Sequence, residues 1–307
     1  MRIITVKAPT GFGTNIAETA FEAGATQVTV RQEMQLTSEK KEVHLDVVEV
    51  DTATPKGKKF IESLMEAPFY NSDTFSFTIR HPESLFAKEP PEKETHPIVR
   101  PSTDVYQELW QFTKITYSLV LRVFLSSLLL AYGMVDNMLP LIIAGLLFLP
   151  YHHHMLGVGL GAVLREWNFL KQGLLALIVS TVTITLAGAF VALFAEAPVQ
   201  FNQFSTPLSG MLLSLVIGMA AAFGAIDDAG RRELVGLAAT AHISVYPAWF
   251  GLKLVYGFNA SDHWQEHLLT FCINVTALTL AAGITFIITG MKGKGIRRFV
   301  SSKTGEA

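Results

Sequence analysis

The chain has 307 residues, 50% of them hydrophobic and only 16% charged, with a formal net charge of −2. The charged share is well below the roughly 25% of soluble domains, and the near-neutral balance argues against a nucleic-acid partner. A single cysteine, Cys272, excludes any internal disulfide.

The charge is unevenly placed. Residues 1–104 are dense in Lys and Glu, whereas residues 115–290 hold few charges. This split predicts a soluble domain followed by a membrane domain. The opening MRIITVKAP lacks the long apolar run and small-residue cleavage site of a secretory signal and alternates as a strand instead. Residues 13–23 carry Ile16, Ala20 and Phe21 at helical spacing, and Gly24 is placed to stop that helix. Two β-branched runs follow, 26–36 and 42–50, joined by the polar turn TSEKK. A second helix fits Lys58 to Met65, with Phe60, Ile61, Leu64 and Met65 on one face, and 74–80 is a last strand. The order β-α-β-β-α-β predicts an α+β ferredoxin-like domain over residues 1–82. That fold hosts many activities, and a regulatory or assembly domain is the plain reading here. Residues 83–103 hold four prolines and several charges and read as an extended linker. Residues 104–112, DVYQELWQF, suit either a short helix at the membrane surface or the first turns of the next helix.

The membrane domain, residues 104–291, shows six apolar segments: about 115–135, 138–163, 172–194, 208–226, 234–257 and 268–290. Each approaches the roughly 20 residues that cross a hydrocarbon core. With the N-terminal domain in the cytoplasm, the inner loops hold Arg165, Lys171, Arg231 and Arg232, and the basic tail, 292–307, holds Lys292, Lys294, Arg297 and Arg298. The outer loops near Asp136, Glu196 and Asp262 hold no Lys or Arg. This asymmetry predicts six spans in the cell membrane with both termini cytoplasmic.

The halves resemble one another. TYSLVL meets LLSLVI with Ser118 and Ser214 separated by 96, Pro150 meets Pro247 at 97, and STVTITLAG meets NVTALTLAA with Leu186 and Leu280 separated by 94. Three helices per copy force the second copy to insert upside down. The expected membrane fold is therefore a 3+3 inverted repeat, a transporter design.

Pro150 and Pro247 lie inside the second helix of each copy, where proline removes a backbone donor and clashes with the preceding turn. In lipid such breaks must face protein or a watery cavity. Paired breaks in inverted halves predict a central binding site with helix-break residues Pro150, Pro247, Gly157 and Gly251. Polar side chains gather there: Tyr151, His152, His153 and His154 after Pro150, and His242, Ser244 and Tyr246 before Pro247. The third helices add Ser180, Thr181, Thr183, Thr185, Asn274, Thr276 and Thr279. Hydroxyls alone are explained by interhelical hydrogen bonding. Ionisable histidines at membrane depth are costly and point to function. The candidate substrate-binding set is Tyr151, His153, His154, His242, Ser244, Tyr246, Asn274 and Thr181. Adjacent imidazoles diverge on a helix, so no metal or other cofactor is expected.

These residues resemble a known family, the hydrophobic membrane proteins carrying domain of unknown function 389. The run from Pro150 to Gly161 is similar to its first broken helix through Gly157, Leu160 and Gly161. GLAATAHISVYPAWFG resembles a later helix through Gly236, Ala238 and Gly251, and FCINVTAL resembles the last helix through Asn274. The resemblance covers about residues 130–290. The chain departs from the family pattern at His153 and His154, where a second glycine and proline are usual, and at Val245 and Tyr246, where paired prolines are usual. The resemblance implies an integral membrane protein of transport type, with a small N-terminal domain and no settled substrate.

The resulting expectation is a transporter or channel for a small anion or neutral polar solute, with protons as the candidate coupling ion, regulated by the cytoplasmic domain and self-associating through small-residue faces such as Gly157, Gly159, Gly161 and Gly218. The alternative is a membrane sensor signalling through the ferredoxin-like domain. No Ser/Lys pair, HExxH or paired aspartates occur within the spans, so an intramembrane enzyme is not expected.

Overall fold

A computed structural model describes residues 2–36, 42–80, 100–227, 232–259 and 262–291. The chain divides into two compact units, one built mainly from residues before Tyr106 and the other from Tyr106 onward.

The first unit runs β1 (Arg2–Pro9), α1 (Gly13–Glu22), β2 (Val28–Leu36), β3 (Glu42–Thr52), α2 (Thr54–Glu66), β4 (Ser76–Arg80). The strands form one antiparallel sheet in the order β2-β3-β1-β4. Period-2 alternation puts Ile4, Val6 and Ala8 of β1 on the face shared with Val48 and Val50 of β3, because Ile4 pairs with Val50 and Val6 with Val48. The helices cover that face with Ile16, Ala20, Phe60, Ile61 and Leu64, all fully buried. Gly24, at φ 99°, ends α1 as its position predicts. The TSEKK turn lies outside the described residues, as does most of the Pro-rich linker.

The start of α1 has a local peculiarity. Its N-cap residue is Phe12, which has no side-chain acceptor for the free N–H groups of the first turn. Asp46 of β3 takes that role: its Oδ2 accepts from Gly11 N at 2.8 Å and Gly13 N at 2.9 Å. Burial alone raises the Asp46 pKa, but the hydrogen bonds from Gly13, Gly11 and Gln32 outweigh it and hold the carboxyl below its ordinary value.

The second unit begins within α3 (Ser102–Thr113) and continues with α4 (Tyr117–Val135), α5 (Leu139–Phe148), α6 (Tyr151–Leu164), α7 (Trp167–Ala192), α8 (Pro207–Ile226), α9 (Arg232–Tyr256) and α10 (Trp264–Ile288). Of the two readings of DVYQELWQF, the structure shows a separate helix. α3 stops before α4 and packs on α7 through Tyr106 and Trp110 against Phe169, with ring centroids 4.9 and 5.6 Å apart. Among the described residues, α4, α7, α8 and α10 are each long and apolar enough to cross a membrane. The pair α5 and α6, bent by 42°, makes a fifth if it is one span. The sixth expected segment is helical as α9, but α9 is not among the described helices that are long and apolar enough.

Burial in this unit is inverted relative to a water-soluble bundle. α7 exposes Leu174, Leu175, Ile178, Val182, Leu186 and Phe190 along one stripe, while it buries Gly173, Ser180, Thr183 and Gly188. Outward Leu and Ile with inward Gly, Ser and Thr fit a protein whose solvent is lipid.

The expected break at Pro247 is absent. α9 is continuous through it, whereas the chain does break at Pro150, between α5 and α6. Proline deletes one backbone bond and crowds the preceding turn, but α9 is held against α7 immediately after that point, at Ala248 and Gly251. A methyl group added at Gly251 would overlap the Thr185 carbonyl oxygen, and one at Gly188 would overlap that of Ala248. Backbone-to-backbone contact of this kind holds α9 against α7 at the turn that carries Pro247, whereas the like contact of α5, at Gly145 on α4, lies five residues before Pro150 and the ten-residue helix ends between them.

Candidate functional site

The residues singled out in the sequence fall into two polar groups. The first gathers where α6 meets α7 and α9. Tyr151, fully buried, places its hydroxyl 2.6 Å from Thr181 Oγ1. His154, also fully buried, lies with Nε2 3.0 Å from Ser180 Oγ. His152 Nδ1 is 3.2 Å from Thr240 Oγ1 of α9. His153 is sandwiched instead: its ring stacks on Phe112 of α3 at 3.9 Å and against His152 at 3.8 Å. Its Nδ1 is buried without a hydrogen bond of ordinary geometry.

The second group lies where α9 meets α10 and α8. The Tyr246 hydroxyl is 3.0 Å from Ser205 Oγ and lies beside the Asn274 side chain. His242 Nε2 is 3.1 Å from the Gly210 carbonyl oxygen, and a methyl at Gly210 would press on Asn274 and Ser205. Both amide atoms of Asn274 and the hydroxyls of Ser244 and Ser214 are buried without a hydrogen bond of ordinary geometry. Such groups are costly in an apolar interior unless something else satisfies them.

A cavity of about 280 Å³ opens at the α5–α6 break. Leu149 and Pro150 of the broken segment line it, with His152, His153, Thr240, Phe112 and Arg122 around them. His154, expected among the ligands, turns away to α7 and is not part of this wall. Residues missed in the sequence reading are Phe112, Ser205 and Thr240; the first two come from segments with no polar cluster of their own, and Thr240 lies two residues before His242 on α9. Gly251 serves packing on α7 and Gly157 serves packing on Thr113 of α3, while Pro247 is buried within the continuous α9. Gly159, Gly161 and Gly218 likewise abut this chain's own Thr279, Leu170 and Leu278, so the small-residue faces expected to join copies are occupied within one copy.

The contacts repeat across the two halves. Gly159 of α6 sits on the Thr279 carbonyl and the Gly283 amide of α10, and Gly251 of α9 sits on the Thr185 carbonyl and the Ala189 amide of α7. The two glycines are 92 residues apart, and each pair of contacted residues is 94 apart. The same separations link His154–Ser180 with Tyr246–Asn274.

No curated protein and no solved structure matches the chain at a significant level. Residues 147–280 match the family model described as a domain of unknown function (DUF389). The match spans α6 to most of α10 and contains both polar groups except for the residues supplied by α3 and α4. On this match the chain carries a domain of unknown function 389, in agreement with the resemblance borne by its glycine and proline pattern.

Proposed function

We propose that the protein is an integral membrane transporter or channel for a small anion or neutral polar solute, bound at the α5–α6 break. The single observation that carries this reading is the cavity at the broken backbone, walled by His152, His153 and Arg122 within an otherwise lipid-adapted unit. Irregular backbone at membrane depth is tolerated where it lines a cavity, and such cavities mark solute sites.

The finer architecture belongs to the same proposal. α9 is the sixth crossing, its charged start and Lys253 lying towards the two interfaces. The membrane unit is a 3+3 inverted repeat in the cell membrane, supported by the recurring separations of 92 and 94. The N-terminal unit is a ferredoxin-like domain, supported by the strand order β2-β3-β1-β4. It lies in the cytoplasm with the C-terminus and regulates transport. Catalysis plays no part, protons are the candidate coupling ion, and the protein works as a homo-oligomer.

The test is flux. Purified protein in proteoliposomes should accumulate a labelled candidate above protein-free vesicles, with and without a pH gradient. Specific binding without flux of any anion or neutral solute would defeat transport and leave the sensor reading.

A further inference from the structure

Arg122 is the membrane unit's most anomalous residue. It precedes Val135, the last residue of α4, by 13 positions, which at about 1.5 Å per residue is roughly 20 Å along the helix. It follows Tyr117, the first residue of α4, by five positions, roughly 8 Å of helix, and it is exposed, so it lies within the span but towards one end of it. A guanidinium stays protonated under all ordinary conditions. Among the described residues no carboxylate pairs with it, although it is close enough to His153 and His154 to act on them electrostatically. It lines the cavity, and so do Pro150, His152 and His153 at the start of α6, where the His153 amide already donates to the Pro150 carbonyl at 3.0 Å. The His153 ring lies in the same wall, near the Pro150 carbonyl, and leaves Nδ1 without a hydrogen bond of ordinary geometry.

From this we infer that the cavity takes a monovalent oxyanion, a carboxylate or a phosphate ester, with Arg122 as its counter-charge. This rests on the reading of the cavity as a solute site. One cation and no anion line the walls, so one negative charge balances the site. A planar guanidinium grips a carboxylate or phosphate through two parallel hydrogen bonds. The α6 N-terminus adds the positive end of a helix dipole. The remaining wall is apolar: Phe112, Leu146, Leu147 and Phe148 suit an aliphatic or aromatic substituent on the anion. Leu147 and Phe148 are also exposed on the outer, lipid-facing surface. The anion therefore has two sources, a free monocarboxylate or the headgroup of an anionic lipid.

The experiment is thermal unfolding of the full chain in phosphatidylcholine nanodiscs, followed by far-ultraviolet circular dichroism. Butyrate and benzoate are titrated against butyramide and benzamide, and a second set of discs contains phosphatidylglycerol. Saturable stabilisation by the carboxylates but not the amides is expected for a free solute. Stabilisation by phosphatidylglycerol alone assigns the same site to a lipid. Arg122→Gln should weaken the effect at least about tenfold, and Arg122→Lys should retain part of it, because lysine keeps the charge without the fork. Amides as effective as carboxylates, or no response to either source, would overturn the inference even if neither variant folds. Flux of a neutral solute without anion stabilisation would overturn it and leave transport standing. Anion stabilisation without flux would do the reverse.

A second observation stands apart. β2 is an edge strand, exposed along most of its length, with Val30, Met34 and Leu36 at 48%, 56% and 63% exposure. Such an edge is a template for pairing with another chain. Its sequence, VTVRQEMQL, is self-complementary when a second copy runs antiparallel about Gln32. Arg31 then faces the second copy's Glu33, Val30 faces Met34 and Val28 faces Leu36, with charge and apolar faces both matched. We propose that two copies join through β2 into a continuous eight-stranded sheet. In a Cys272→Ala background, Gln32→Cys should form an oxidised dimer of the full chain, because the central pair lies within disulfide range. Thr29→Cys, about 20 Å from its copy in that register, should not. Equal crosslinking of both, or of neither, would overturn the pairing.

Discussion

Gly251→Ala is the sharpest test of how the membrane unit is held together. The added methyl would lie 2.9 Å from the Ala189 amide nitrogen and 2.9 Å from the Gly188 Cα, and closer still to the Thr185 carbonyl oxygen. Ordinary carbon contacts begin near about 3.5 Å, so α7 and α9 must separate by at least roughly half an ångström. All three obstacles are backbone, so no side chain can turn aside and the whole helix has to move. Overpacking of this kind costs about 1–3 kcal/mol, and the absence of a soft neighbour puts this site near the upper end. Replacing a helical glycine by alanine returns about 1 kcal/mol. The expected net loss is about 2 kcal/mol, or roughly thirtyfold in the folded-to-unfolded ratio. The control is Gly283→Ala, on α10. Its methyl would meet nothing nearer than 3.7 Å, so it should be neutral or stabilising by up to about 1 kcal/mol. Unfolding in mixed micelles, titrated with denaturing detergent, measures both. If Gly251→Ala matches the wild type, or Gly283→Ala is equally harmful, the close packing of α7 on α9 is wrong.

Asp46→Ala should destabilise the N-terminal unit by about 1–3 kcal/mol and speed amide exchange at Gly11 and Gly13. Because the folded Asp46 carboxyl is held below its ordinary pKa, its contribution is present above the unfolded value of about 3.9 and is lost as pH falls through the folded pKa. The wild type should therefore lose stability faster than Asp46→Ala on acidification below about pH 4. Lys253 Nζ lies 2.8 Å from Asp262 Oδ1, and Asp262 also accepts from Asn259 N. Lys253→Met and Asp262→Asn should each destabilise, with a coupling of about 0.5–3 kcal/mol in a double-mutant cycle; strict additivity would show that the pair contributes nothing. In a Cys272→Ala background, Ser301→Cys should react with a membrane-impermeant maleimide only after the cytoplasmic face is opened, and labelling of intact cells would refute the six-crossing topology.

The elements of the first unit could be read because alternation and helical spacing are local properties. Strand pairing such as Ile4 with Val50 then follows from matching buried faces. The Asp46 contact could not be read, because the acceptor for Gly13 is 33 residues away and nothing near Phe12 signals a missing cap. Apolar runs marked the membrane helices, and Pro150 marked the break. Pro247 misled because a proline's effect depends on what presses against its helix, and that support comes from Gly188 on another element. The polar set was legible as a set but not as a geometry: His152, not His154, reaches the cavity, and Phe112 arrives from a helix whose pattern suggested either a surface anchor or the first turns of the next helix.

The crossed glycine contacts also constrain the order in which the protein can be made. Gly188 of α7 is matched to Ala248, and Gly159 of α6 to Thr279, so each early helix is completed by one that leaves the ribosome much later. Until α9 and α10 have been inserted, α6 and α7 lack the backbone partners of Gly159 and Gly188. Maturation is then a single late closing event. Two fragments divided in the 193–206 connection should accumulate only when made in the same cell, each serving as the missing wall of the other.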